Sequence, residues 1–313
     1  MRTPLPVGTH LPLSAIGTQQ QITVQIQELI GTGASCLVYT AVCRDGEQNE
    51  FYLRLKEFCP ENLHLIRQQD GSLLAADEEA FQRQMQSFIW GYQKQMQFRQ
   101  FPESCNSISN VQGVFAGNGT RYIAMNCQNS IPLEQQELSL YDTFRVLRAV
   151  AQQLDNLHQH GYLYLDLKPA NVLLYPETPE LVMLFDFDSA IEKSRLSDAV
   201  ISCTAKWAAP EVLQQNRRKI GVVSDVYTLG GLLLYLLFCR APEVKDRRNR
   251  AVWDAEFPDS VLAGTAPEIR RMVTELLRKT LAANPEKRYA SCAELLAQIE
   301  PFLDSFQQPK PYL

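Results

Sequence analysis

Residues Gln21 to Ile30 alternate apolar and polar side chains, the period-two signature of a half-buried strand. A glycine cluster at 31–33 interrupts the run, Leu37 to Cys43 resumes it, and a third run, Glu50 to Phe58, stops shortly before a proline. Val111–Phe115 and Arg121–Met125 flank GNGT at 117–120 and predict a hairpin. Between the third run and the hairpin the period changes. Over residues 77–100, Phe81, Met85, Phe88, Tyr92 and Met96 recur at steps of three and four, which predicts an amphipathic helix with its glutamines on the solvated face. From Ser139 onward the pattern is mostly helical, with candidates at Leu140–Gln159, Val222–Cys239, Pro267–Ala282 and Ser291–Phe302.

A strand-rich first part followed by a helix-rich second part implies an α+β chain of two lobes, joined near Cys127–Pro132. The expected boundaries are an N-terminal extension over 1–21, a small β-rich lobe over 22–128, a larger α-helical lobe over 129–303 and a tail over 304–313. Strand geometry puts Tyr52, Arg54 and Lys56 on one face of the third strand, and Leu53 and Leu55 on the other.

Composition changes this picture little. The chain has 313 residues, 45% apolar and 21% charged, enough for a buried core and ordinary for a globular protein. A net charge of -5 gives no general reason to expect nucleic acid or an acidic membrane as partner. Eight cysteines are scattered without a C-x-x-C pair, so reduced thiols in a cytoplasmic chain are expected. The N-terminus shows no secretory signal, and the most apolar run, Leu229 to Cys239, is 11 residues against the roughly 20 a membrane span needs. His158 and His160 have no third ligand nearby and read as a helix end.

The densest chemistry lies in Tyr162 to Leu174, where Asp166, Lys168 and Asn171 sit between two apolar runs. Phosphoryl transfer needs such a set: a carboxylate to orient and deprotonate a hydroxyl, a cation for the moving phosphate, and an amide oxygen for a metal ion. Gly31 and Gly33 lie between two strands, where absent side chains let backbone N–H groups approach phosphates; alone, this is also an ordinary turn. Lys56 follows in the third strand. The apolar run LVMLFDFD (181–188) ends at Asp186, which suits a magnesium ligand delivered at a strand end. Asp225 enters an apolar helix and calls for hydrogen-bonding partners.

As an ordered set, these features resemble the protein kinases over about residues 22–303. The resemblance implies a bilobal protein-kinase-like fold and transfer of the ATP γ-phosphate to serine or threonine hydroxyls of protein substrates, this chain among them. By the resemblance ATP lies between the lobes, with its adenine near Val38 and the hinge Met125–Cys127, Gly31 and Gly33 by its phosphates, and Lys56 holding them. Asn171 and Asp186 bind Mg²⁺, Asp166 orients the acceptor, and Lys168 offsets phosphoryl charge. Thr204 in TAKWAAPE (204–211) bonds Asp166 and Lys168, Glu211 pairs with Arg288, and Asp225 braces the catalytic loop. A larger parent chain or a regulatory partner also fits; nucleic acid and membrane insertion do not.

The chain departs from the family pattern at several points. Cys36 stands where a third glycine is usual, Arg54 where a small residue covers the adenine, and Asp188 where the metal-binding turn has glycine. No acidic residue lies between Ala80 and Pro102; Gln93 or Gln95 is open as the occupant of the usual position, and Glu78 or Glu79 is the acidic candidate for the partner of Lys56. Tyr164 and Leu165 precede Asp166 where histidine and arginine are usual. Without that arginine, activity is expected not to require phosphate on the segment Ser189–Thr204, which carries Ser194, Ser197 and Ser202. Two alternatives remain open at this point: a pseudokinase serving as a nucleotide-binding or scaffold module, and a small-molecule phosphotransferase.

Overall fold

Each period-two run of the first third becomes a strand in the computed structural model, which describes residues 2–44, 49–98, 110–126, 130–175, 178–247 and 251–307. The strands are β2 (Gln21–Thr32), β3 (Cys36–Arg44), β4 (Glu50–Phe58), β7 (Asn110–Gly117) and β8 (Thr120–Asn126). One further strand, β1 (His10–Ala15), lies in the stretch expected to be an extension. It pairs antiparallel with β2 on one side and with β7 on the other, closing a six-stranded barrel in the order β1-β2-β3-β4-β8-β7. Inward-facing Val24, Ile26, Leu37, Tyr39, Leu55 and Tyr122 fill it.

Parity along β4 then puts Glu57 inside, where its carboxylate is fully buried. It accepts hydrogen bonds from the hydroxyls of Tyr39 (2.9 Å) and Tyr122 (2.6 Å) and pairs with Arg67 at 2.7 Å. Arg67 comes from the short hairpin of β5 (Ile66–Arg67) and β6 (Leu73–Leu74), and also donates to the carbonyls of Thr3 and Gly71. A buried charge is tolerated only when paired and hydrogen-bonded, and this one is both.

Helix α1 (Glu78–Phe98) buries Phe81, Met85 and Phe88, and the rings of Phe81 and Phe88 stand 5.2 and 5.3 Å from Phe58 of β4. The expectation of Glu78 or Glu79 as partner of Lys56 is corrected here. Lys56 Nζ lies over Phe88, 5.6 Å from the ring centroid, whereas Glu78 accepts from Gln82 and Glu79 pairs with Arg83. Both glutamates occupy the first turn, about 14 Å along the helix from Phe88 at 1.5 Å per residue.

The second part is helical, as its 3.6-residue periodicity predicts. It contains α2 (Leu140–Gln159), α3 (Pro210–Leu213), α4 (Val222–Phe238), α5 (Ala251–Glu256), α6 (Pro267–Thr280) and α7 (Cys292–Gln307). Ser139 caps α2, its hydroxyl accepting from the Asp142 N–H at 3.1 Å. Helix α4 is buried along most of its length and forms the centre of the core. A Cβ on Gly230 would fall 2.3 Å from Thr280 Oγ1, so glycine there lets α4 and α6 approach closely. Short strands β9 (Ile131–Pro132), β11 (Val172–Tyr175) and β12 (Thr178–Leu184) form one small sheet, and β10 (Tyr162–Leu163) pairs with β13 (Ile191–Glu192).

The chain divides into two compact units, Met1–Gln97 with Ser109–Asn129, and Phe98–Ile108 with Ser130–Leu313. No helix among the described residues is long and apolar enough to cross a membrane.

Candidate active site

Asp166 sits in the loop between β10 and β11, and the chain enters that loop in an unusual conformation. Leu165 has φ +63°, a left-handed geometry that a bulky residue adopts at a cost of about 1–3 kcal/mol. What holds it is Asp225, from the first turn of α4. Its Oδ1 accepts the Leu165 N–H at 2.7 Å, and its Oδ2 accepts the Tyr164 N–H at 2.9 Å and His158 Nε2–H at 2.8 Å. The carboxylate has no solvent exposure, so three donors satisfy it. His158, read from the sequence as a helix end, therefore has this bracing role as well.

With the loop fixed, Asp166 is nearly buried and surrounded by donors. Its Oδ1 accepts the Thr204 N–H at 2.8 Å, and its Oδ2 accepts from Lys168 Nζ at 2.6 Å and Asn171 Nδ2 at 3.3 Å. Lys168 also donates to Thr204 Oγ1 at 2.8 Å, so Thr204 contacts both partners that the resemblance implies for it. A carboxylate offers about four acceptor positions, of which three are used.

The strand end carrying Asp186 is tied to the same loop. The Phe185 N–H donates to the Asn171 carbonyl at 3.2 Å, and the Tyr164 hydroxyl donates to the Phe185 carbonyl. Asp186 itself has φ +64°, which Asp tolerates better than most residues. The phenol of Tyr164 is held well above its ordinary value by burial and by the nearby charges of Asp186 and Asp166, which keeps it a donor. Asn171 spends its amide nitrogen on Asp166, which leaves its Oδ1 to act as a ligand. A half-buried carboxylate and an amide oxygen thus stand on adjoining backbone. Among the described residues no three His, Cys, Asp or Glu side chains gather as a metal cage. One carboxylate and one neutral oxygen suit Mg²⁺ instead, which takes few protein ligands and fills its octahedron with phosphates and water.

The segment between Asp186 and Thr204 is anchored at several points. Lys193 donates to the His158 carbonyl at 2.7 Å, and Arg217 Nη1 donates to the carbonyls of Leu196 and Ala199. Farther on, Glu211 and Arg288 form the expected ion pair, bidentate at 2.7 and 2.9 Å and buried, with Ser224 Oγ donating to the same glutamate.

The residues assigned to ATP lie in the barrel unit. Cross-strand register aligns Gly31 with Val38 and Val38 with Lys56; Arg54 pairs with Met125. Directly opposed residues share a face, so Val38, Lys56, Arg54 and Met125 lie on one side of the sheet. Neither Gly31 nor Gly33 has positive φ, and a Cβ on Gly31 would meet Val38 only at 3.8 Å. A Cβ on Gly33 would likewise make only ordinary contact, 3.5 Å from Cys36 Sγ, so backbone conformation and packing do not require these glycines. Cys127, the remaining residue assigned to the adenine, lies outside the described residues.

Comparison with known proteins agrees with this geometry. A family model described as the protein kinase domain matches residues 93–299, a span that includes Asp166, Lys168, Asn171, Asp186, Thr204, Asp225 and Arg288 but begins after Lys56. The serine/threonine-protein kinase PknB of Mycolicibacterium smegmatis is 30% identical over 162 residues, covering 49% of this chain and 25% of that protein. Calcium/calmodulin-dependent protein kinase type 1 of Macrobrachium nipponense is 30% identical over 167 residues, covering 50% of this chain and 45% of the relative. The aligned region thus spans a quarter to under half the length of these relatives. The crystal structure of the Mycobacterium tuberculosis PknI kinase domain superposes with a TM-score of 0.58 at 21% identity, covering 95% of this chain and 99% of that one. At that identity the likeness concerns the fold, and its 95% coverage of this chain is wider than the span of the family model, which begins after β1 to β4.

Proposed function

Because the chain belongs to the protein kinase domain family, we propose that it transfers the γ-phosphoryl group of ATP to serine or threonine hydroxyls of protein substrates, itself included. The observation that carries this reading is the Asp166 carboxylate, fixed by Thr204, Lys168 and Asn171 with one acceptor position left for an incoming hydroxyl. Asp166 orients that hydroxyl and takes its proton as the new O–P bond forms and the bond to the departing ADP breaks. Lys168, bridging Asp166 and Thr204, offsets charge on the phosphoryl oxygens.

The family uses ATP and typically Mg²⁺. Asn171 and Asp186 are the residues proposed to hold the metal, which supplies electrostatic stabilisation of the phosphates. Lys56 is assigned to the phosphates, the turn at Gly31 and Gly33 to close backbone approach, and Val38 and Met125 to the adenine. Residues 22–128 and 129–303 are taken as the two lobes, with β1 of the preceding stretch added to the first. A cytoplasmic setting fits the six described cysteines, none of which is in a disulfide.

The test compares the purified chain with Asp166→Ala in ATP and Mg²⁺, mapping phosphosites by mass spectrometry. Phosphoserine or phosphothreonine is expected in the parent, with a rate on the order of 10²-fold or more lower in the variant. Equal incorporation in both, or none in either with a general protein substrate present, overturns the reading.

A further inference from the structure

The chain is acidic as a whole, yet its stretch from Glu192 to Lys219 is basic. Lys193, Arg195, Lys206, Arg217, Arg218 and Lys219 stand there against Glu192 and Asp198, since Glu211 is buried and neutralised by Arg288. What sets these cations apart is that they lie close together in sequence. Outside the stretch Arg44 pairs with Glu50, Arg83 with Glu79 and Arg278 with Glu275, while the exposed cations Arg271 and Lys287, which have no carboxylate partner among the described residues, stand apart from one another in sequence. Arg195, Lys206, Arg218 and Lys219 are exposed and have no carboxylate partner among the described residues.

Backbone contacts place one of these cations near the catalytic carboxylate and tie the others to the segment that leads to it. Thr204 donates its N–H to Asp166, and Lys206 follows two residues later, its Cα no more than about 7.6 Å from that of Thr204. Arg217 holds the carbonyls of Leu196 and Ala199, which brings the loop carrying Arg218 and Lys219 against the segment carrying Arg195. Arg217 and Lys193 are occupied by these structural bonds; the other four are not.

We propose that protein substrates are selected by acidic residues flanking the acceptor hydroxyl, read by a basic surface of Arg195, Lys206, Arg218 and Lys219. This rests on the kinase reading above and names the substrate class of the same site. Exposed charges contribute little singly but act together as a field that raises the local concentration of an oppositely charged segment. The position of Lys206, two residues after the Thr204 that bonds Asp166, favours an acceptor peptide over other anions, because a peptide bound there presents its hydroxyl to the carboxylate.

The test uses three peptides with one serine acceptor, flanked by Asp and Glu, by Ala, or by Lys and Arg, at low and high salt. The acidic peptide is expected to exceed the basic one in kcat/KM by about tenfold, with the advantage shrinking as salt screens it. In a Lys206→Glu, Arg218→Glu, Lys219→Glu variant, checked for folding by thermal melt, the ratio should invert. The salt series needs no variant and stands alone if that one misfolds. Turnover with equal or basic preference, or an unchanged ratio in the variant, overturns the substrate assignment and leaves the kinase reading in place. No turnover of any peptide, together with no self-phosphorylation, overturns both.

Discussion

Asp225 keeps Leu165 in a left-handed backbone conformation, accepting its N–H at 2.7 Å from a position inside α4 with no solvent exposure. The residue that orients Asp166 thus lies 59 positions away in sequence and never approaches a substrate. Asp225→Ala orphans two buried N–H groups and His158, and is expected to lower the unfolding free energy by about 3 kcal/mol. Urea unfolding measures this. A variant as stable as the parent removes Asp225 from the bracing role.

The barrel contains a second buried carboxylate with a different partner. Glu57→Gln leaves Arg67 buried beside a neutral amide and should cost about 3–5 kcal/mol, and replacing both by Leu and Met should cost less than the sum of the two single changes. A double-mutant cycle in denaturant reads the difference. Additive losses would mean the two side chains act independently.

Alkaline pH should weaken the same unit. Burial, reinforced by the negative charge of Glu57, pushes the Cys59 thiol up to about 11 from an ordinary value of 9.0. A group raised in the folded state stabilises fully below its unfolded value and loses that contribution as pH rises through its folded value. Relative to Cys59→Ala, the parent should therefore lose stability between about pH 9 and 11. Parallel urea curves for both proteins across that range check it, and a constant gap refutes it.

Activity should not depend on phosphate in the segment before Thr204. Lys193 and Arg217 already fix that segment through backbone carbonyls, and Leu165 occupies the place of the arginine that would receive a phosphate. Combined Ser194→Ala, Ser197→Ala and Ser202→Ala substitution should leave the rate within about twofold, since exposed substitutions away from buried contacts usually cost little. Loss of turnover in the triple variant, or after phosphatase treatment of the parent, would show that phosphate is needed.

Much of this was legible in the residues, for identifiable reasons. Helix α2 has the bounds expected from its period, with Ser139 as cap, because local pattern and capping agree. The set Asp166, Lys168 and Asn171 was readable because one short loop carries all three. Strand β1 was not, because Pro12 breaks the strand signal and its pairing partners lie elsewhere in the chain. Glu57 was also missed: a charge near a strand end reads as solvent-facing, and its partner Arg67 belongs to a separate hairpin. The error over Glu78 and Glu79 has a similar origin. Composition showed that acids were scarce, but only the fold showed that Phe88, more than two turns beyond them, faces Lys56.

Closure by β1 has a consequence for how copies of this chain behave together. An open sheet ends in rows of unpaired N–H and C=O groups, a template onto which a strand of another molecule can add. Were β1 absent, β2 and β7 would both present such rows. A short strand upstream of the first one legible in the sequence thus seals two sticky margins at once, and it protects the chain from edge-to-edge aggregation while it is crowded by its own copies.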